Sequence, residues 1–168
     1  MNHSNLGQMH LPFGMIFSII LIAIFLIFGF YSIKTFIKIQ NSALLGKFFS
    51  DIQYDINKAW RSAESSQLRE YIIPSKVRYV CFVDFNSSSR GAYSPIFSEI
   101  SKERKNNENL FSYPQRLFSV ESKEIENIDL IKITSEENPF CLEQKGGRIK
   151  LILRKNFEDL LVGVERVE

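Results

Sequence analysis

A chain of 168 residues with 21 basic and 19 acidic side chains carries a net charge of +2, which excludes the strongly basic field of a polyanion binder, and no nucleic-acid partner is expected. All of that charge falls after residue 33, so residues 34–168 form the polar part of the chain, enough for one domain with a core of its own. The only histidines are His3 and His10, which leaves the domain without an imidazole for general-base work, nucleophile activation or metal ligation.

Residues 1–10 (MNHSNLGQMH) form a short polar tail. Residues 11–33 (LPFGMIFSIILIAIFLIFGFYSI) contain no Asp, Glu, Lys or Arg. As a helix they span about 34 Å at 1.5 Å per residue, against about 30 Å for a bilayer's hydrocarbon core. Their apolar side chains run all round the helix, so a transmembrane helix with the lipid bilayer as its partner is expected. A cleaved secretory signal fits poorly, because the tail has no basic residue, the apolar core is too long, and Phe30 and Tyr31 stand where small residues are needed. Tyr31 and Phe36 with Lys34 and Lys38 make an interfacial collar.

Residues 34–62 read as an amphipathic helix. Leu45, Phe48, Phe49, Ile52, Ile56, Ala59 and Trp60 recur at spacings of three and four, drawing one apolar stripe that predicts burial of the whole set, Trp60 included, against a sheet.

Residues 63–168 read as an α+β globular domain. Two strands are expected at 68–73 and 76–85, joined or kinked at Pro74, the second nearly continuously apolar and therefore central. Residues 86–116 read as a variable insertion, with a Ser-rich loop (NSSSRG), a helix opening at Ser94-Pro95 and the charged run SKERKNNEN. The segments 87–90 and 105–109 within it are the expected first sites of proteolysis. Further strands are expected at 116–120, 128–134, 140–144, 148–154 and 161–166. Lys145-Gly146-Gly147 is a turn signal that predicts a hairpin over 140–154, with Ile149, Leu151 and Leu153 inward and Lys150 and Arg154 outward. The fold class is therefore α+β: an N-terminal transmembrane helix continuing into an amphipathic helix packed on a mainly antiparallel β-sheet.

This layout, with Gly7-Gln8 before the hydrophobic segment and a C-terminal β domain, resembles type IV pilin-like proteins. The stretch GQMHLPFGMIFSIILIAIFLIFGF is also similar to the N-termini of uncharacterised archaeal single-pass membrane proteins. The resemblance covers the first 60 or so residues and lies in layout. It implies a non-catalytic structural or assembly role in the cell envelope, copies of the chain or other envelope proteins as partners through the anchor helix, and Gly7 as the processing site. Pilin precursors carry Lys or Arg just before that glycine and many carry an early Glu; here Leu6 precedes it and the anchor holds no Glu.

Catalytic signatures are missing: there is no Walker loop, GxGxxG, GxSxG, HExxH or CxxC. Asp51/Asp55 and Glu136/Glu137 pair only in sequence, so no catalytic residue, metal or cofactor is assigned. Asn86-Ser87-Ser88 is an N-glycosylation acceptor triplet at Asn86. A membrane-tethered binding or sensing module that recognises its partner through residues 86–116 is the second reading, and an enzyme with an unrecognised site the third. Orientation is pulled two ways. Lys34, Lys38 and Lys47 follow the anchor and no Lys or Arg precedes it, which favours a cytoplasmic domain. Cys81 and Cys141, an even pair in a β domain, are a candidate disulfide of an oxidising compartment or else two buried thiols. With the pilin-like layout, the balance is taken as a single-pass membrane protein whose domain is extracytoplasmic.

Overall fold

The computed structural model describes residues 13–104 and 107–167; the polar tail, Gly7 and the two histidines lie outside them. The chain is α+β and divides into two units, Met1–Lys38 and Ile39–Glu168. One helix, α1 (Phe13–Trp60), contributes to both. In the first unit it displays apolar side chains on every side, among them Phe17, Ile22, Phe25, Phe28, Tyr31 and Phe36. The helix is long and apolar enough to cross a membrane by length and composition.

In the second unit α1 becomes one-sided. Leu45, Phe48, Phe49, Ile52, Ile56 and Ala59 are buried, as their spacing requires, while Lys47 and Asp51 pair at 2.5 Å on an exposed face. Trp60 departs from the expectation: it is 41% exposed. It lies one position beyond Ala59 at the flank of the stripe, on the last residue of the helix, and its indole N–H donates to the Leu160 carbonyl at 3.1 Å instead of entering the core.

Two antiparallel sheets follow. In the three-stranded sheet, β1 (Ser65–Ile72) pairs along its full length with β6 (Arg148–Lys155), and β6 pairs on its other edge with β7 (Gly163–Arg166). The four-stranded sheet has the order β4-β3-β2-β5, made of β2 (Tyr79–Phe82), β3 (Leu110–Tyr113), β4 (Ser122–Lys123) and β5 (Phe140–Glu143). Helix α2 is Ser94–Glu103 and the single turn α3 is Leu130–Ile133.

The strands' alternation sorts the core into two clusters. Val80 and Phe82 of β2, with Leu110, Leu142, Ile149, Leu151 and Leu153, face the α1 stripe. Cys81, Val83, Phe111 and Cys141 face the other way and pack with Ile96 and Ile100 of α2. The four-stranded sheet is thus covered on both faces, which explains why β2 is apolar at every position.

Several expectations are corrected here. The glycines at 146 and 147 do turn the chain, with φ of 59° and 77°, but residues 140–154 do not form a hairpin. Beyond the Lys145–Arg148 bridge the two strands join different sheets. Both edges of β6 are taken by β1 and β7, so β5 pairs with the open edge of β2. Residues 68–73 and 76–85 likewise belong to separate sheets.

Within 128–134, where a strand is expected, Leu130–Ile133 form α3 and only Ile128 makes a β-bridge, to Val162; Asp129 caps the helix, its carboxylate accepting the Lys132 backbone N–H at 2.9 Å. Residues 116–120 form a loop in which one side chain, instead of a ladder, takes three successive backbone donors. The Glu121 carboxylate accepts the N–H groups of Arg116, Leu117 and Phe118, which holds Arg116 at a φ of 67°. Residues 86–116 are no appendage, because β3 within them is an internal strand buried at Leu110, Phe111 and Ser112.

On the α1 side of β1, the Tyr71 hydroxyl donates to Asp55 at 2.8 Å, and Arg69 pairs with the same carboxylate at 3.2 Å. Burial, then the Asp55 hydrogen bond and charge, push the Tyr71 phenol well above its ordinary value. The folded state therefore favours the protonated phenol: its contribution is complete below about pH 10 and is lost as pH rises beyond that. Stability is expected to fall in alkaline titration above about pH 10, and Tyr71→Phe should flatten that decline; an unchanged slope in the variant would contradict the assignment.

Candidate functional site

Cys81 on β2 and Cys141 on β5 are directly opposite in the strand register and joined by a disulfide. Both are fully buried beneath α2, so the bond is a structural staple and not an exposed redox centre. Beside it, Arg166 of β7 reaches across to the other sheet. Its guanidinium donates to the Cys141 carbonyl at 3.1 and 3.3 Å and to Glu137 at 2.5 Å, and it lies over the Phe140 ring at 4.5 Å. One side chain therefore links the two sheets at the disulfide.

Next to this link is a cavity of about 590 Å³ lined by Lys145, Arg148, Lys150 and Arg166, with Glu70 and Glu143 among its walls. Glu70 pairs with Arg148 at 3.2 Å, so the basic lining is partly neutralised.

Asn86 is exposed on the Ser-rich loop, and that loop is firmly held. Asn138, fully buried, donates to the carbonyls of Asp84, Ser87 and Ser88 at 2.8 to 3.3 Å and accepts the Asp84 N–H at 3.1 Å. Asp84 accepts from the Asn86 N–H and the Ser87 hydroxyl. With the carbonyls of residues 87 and 88 tied inward, that half of the expected cleavage region is braced; residues 105 and 106 lie outside the described residues. Asn138→Ala is expected to cost about 2–3 kcal/mol, since it strands buried backbone groups. Urea unfolding would measure it, and a cost under about 1 kcal/mol would show that the loop does not depend on this side chain.

Three of the four carboxylates paired in sequence are used structurally: Asp51 binds Lys47, Asp55 binds Arg69 and Tyr71, and Glu137 binds Arg166. Among the described residues no group of three or more His, Cys, Asp or Glu is placed to hold a metal ion.

At the C-terminal end of α1, the loop between β6 and β7 projects Phe157 and Leu160, which are 82% and 85% exposed. Asp159 ties this loop, accepting from Asn156 and Lys132; those hydrogen bonds, the Asn156 backbone N–H foremost, lower its carboxyl's pKa.

Sequence reasoning brought forward Cys81, Cys141 and Asn86 and passed over Arg166 and Asn138. Asn138-Pro139 was a legible turn signal. Arg166 had none, because its main partner is a backbone carbonyl of a strand in the other sheet. Compared with protein-family models, curated proteins and solved structures, the chain matches none.

Proposed function

We propose that the protein is a non-catalytic, single-pass membrane-anchored structural or assembly protein of the cell envelope, pilin-like in layout, with its domain on the extracytoplasmic side. The observation that carries this reading is the exposed apolar part of α1. From Phe13 to Ile39 its large side chains are exposed among the described residues, and a helix of that length spans about 40 Å, close to a hydrocarbon core together with its interfaces. Lys34 and Lys38 are the only charges on it, and their long stems reach outward to the headgroups. The Cys81–Cys141 bond supports an oxidising compartment for the domain. The helix that anchors the chain is also the surface through which copies would associate.

The test is alkaline carbonate extraction of membranes expressing the full chain, followed by labelling of intact cells that carry Ser89→Cys, an exposed position on the Ser-rich loop, with a membrane-impermeant thiol reagent. Retention in the membrane and labelling of intact cells are expected. Release into the supernatant would overturn the anchor, and labelling that requires opening of the membrane would place the domain in the cytoplasm.

The cavity at Lys145, Arg148, Lys150 and Arg166 favours a second reading, a membrane-tethered binding module. Its lining includes one residue of 86–116, Tyr93, so recognition would centre on the seam between the sheets.

A further inference from the structure

The Ser-rich loop after β2 turns its carbonyls in and two polar side chains out. The carbonyls of residues 87 and 88 accept from buried Asn138, while Asn86 and Ser88 are themselves exposed. The Asn86 backbone N–H is taken by Asp84 at 2.9 Å. Among the described residues no hydrogen bond reaches the Asn86 side-chain amide or the Ser88 hydroxyl. Both groups are therefore open, at the spacing of an N-glycosylation acceptor: the amide receives the sugar, and the hydroxyl two residues on is what the transferase recognises.

We propose that Asn86 is an N-glycosylation site carrying a saccharide on Nδ2. The donor is a saccharide held on a lipid pyrophosphate. A bond forms between Nδ2 and C1 of the sugar, and the bond from C1 to the pyrophosphate oxygen breaks. Its electron pair leaves with the lipid pyrophosphate, and Nδ2 gives up one proton to a base of the membrane transferase. The proposal rests on the extracytoplasmic placement of the domain proposed above.

Chain order makes the loop available to such a transferase. The bonds that fasten the carbonyls of residues 87 and 88 come from Asn138, 51 and 50 residues further on, so in synthesis from the N-terminus the triplet emerges well before its brace does. The finished fold then leaves room for the product. Asn86 borders a cavity of about 210 Å³ with Phe85 and Asn109 in its walls, and Nδ2 holds no hydrogen bond that a sugar would have to displace. One other triplet of this kind, Asn2-His3-Ser4, precedes the apolar segment. A helix that crosses once puts the two on opposite sides of the membrane, so sugar on Asn86 goes with none on Asn2.

The experiment purifies the full chain from the membranes of its own host and reads its intact mass and the mass of the peptide that contains Asn86. The expected result is a gain of saccharide mass located on Asn86, lost in Asn86→Gln and in Ser88→Ala, and kept in Ser88→Thr, which retains the hydroxyl. A second form of the chain ends in a flexible Gly/Ser tail holding Asn-Ser-Thr, an acceptor outside the fold that reports the side on which the domain lies. Sugar on the tail with Asn86 bare would keep the domain extracytoplasmic and overturn the Asn86 assignment. Sugar on Asn2 with Asn86 and the tail bare would put the domain in the cytoplasm, and both readings would fall. A chain bare at all three positions would overturn the assignment and leave the placement of the domain to the thiol labelling.

Discussion

Phe48→Ala is expected to destabilise the domain by about 3–5 kcal/mol. Phe48 is buried on the α1 stripe, with its ring 5.3 Å from that of Phe49 and edge-on to Tyr71 at 5.5 Å. Removing it opens a void where α1 meets β1, and the neighbours on a helix and a paired strand cannot collapse into it. Trp60→Ala, although it deletes a larger side chain, is expected to cost only about 1–2 kcal/mol, because the indole is partly in solvent and its one hydrogen bond is to a loop carbonyl. Urea unfolding of the full chain in mild detergent, followed by near-ultraviolet circular dichroism, would compare the two. A Trp60→Ala cost equal to that of Phe48→Ala would mean that the end of α1 is packed differently from this structure.

Loss of the disulfide is the second large effect. Cys81 and Cys141 are 60 residues apart in the chain, and closing a loop of that size removes about 4 kcal/mol worth of unfolded-state entropy in the chain-entropy model. The double variant Cys81→Ala/Cys141→Ala should lose about that amount, and a reductant should lower the unfolding midpoint of the native chain while leaving the double variant unmoved. The loop so closed contains α2, β3 and α3, so unfolding in the reduced state is expected to begin there, read as faster amide exchange over 86–134 than over β1 and β6. An identical midpoint with and without reductant would show that the pair contributes nothing to stability.

The apolar segment 11–33, the stripe from Leu45 to Ala59, the alternation of Ile149, Leu151 and Leu153, and the turn at Gly146-Gly147 were all legible in the chain. Each depends on neighbours within one or two turns or strand repeats, where spacing alone decides which side chains share a face. Sheet membership was not legible, because alternation fixes which face of a strand is buried and leaves its partner open. Whether Phe140–Glu143 would pair with the strand after the turn or with β2 depended on both edges of β6 being taken, which no local pattern records. The same holds for Leu110–Tyr113, whose four residues sit in a polar stretch and become an internal strand only because β2 and β4 flank them, and for Arg166, whose role exists only once β7 is laid beside the carbonyl of Cys141. Residue spacing alone was enough for the long apolar segment, the buried face of α1 and the α+β class. The division into two sheets, the pairing of Cys81 with Cys141 across one register position, and the loop at 116–120 held against Ser42 arise only from contacts between residues far apart in the chain.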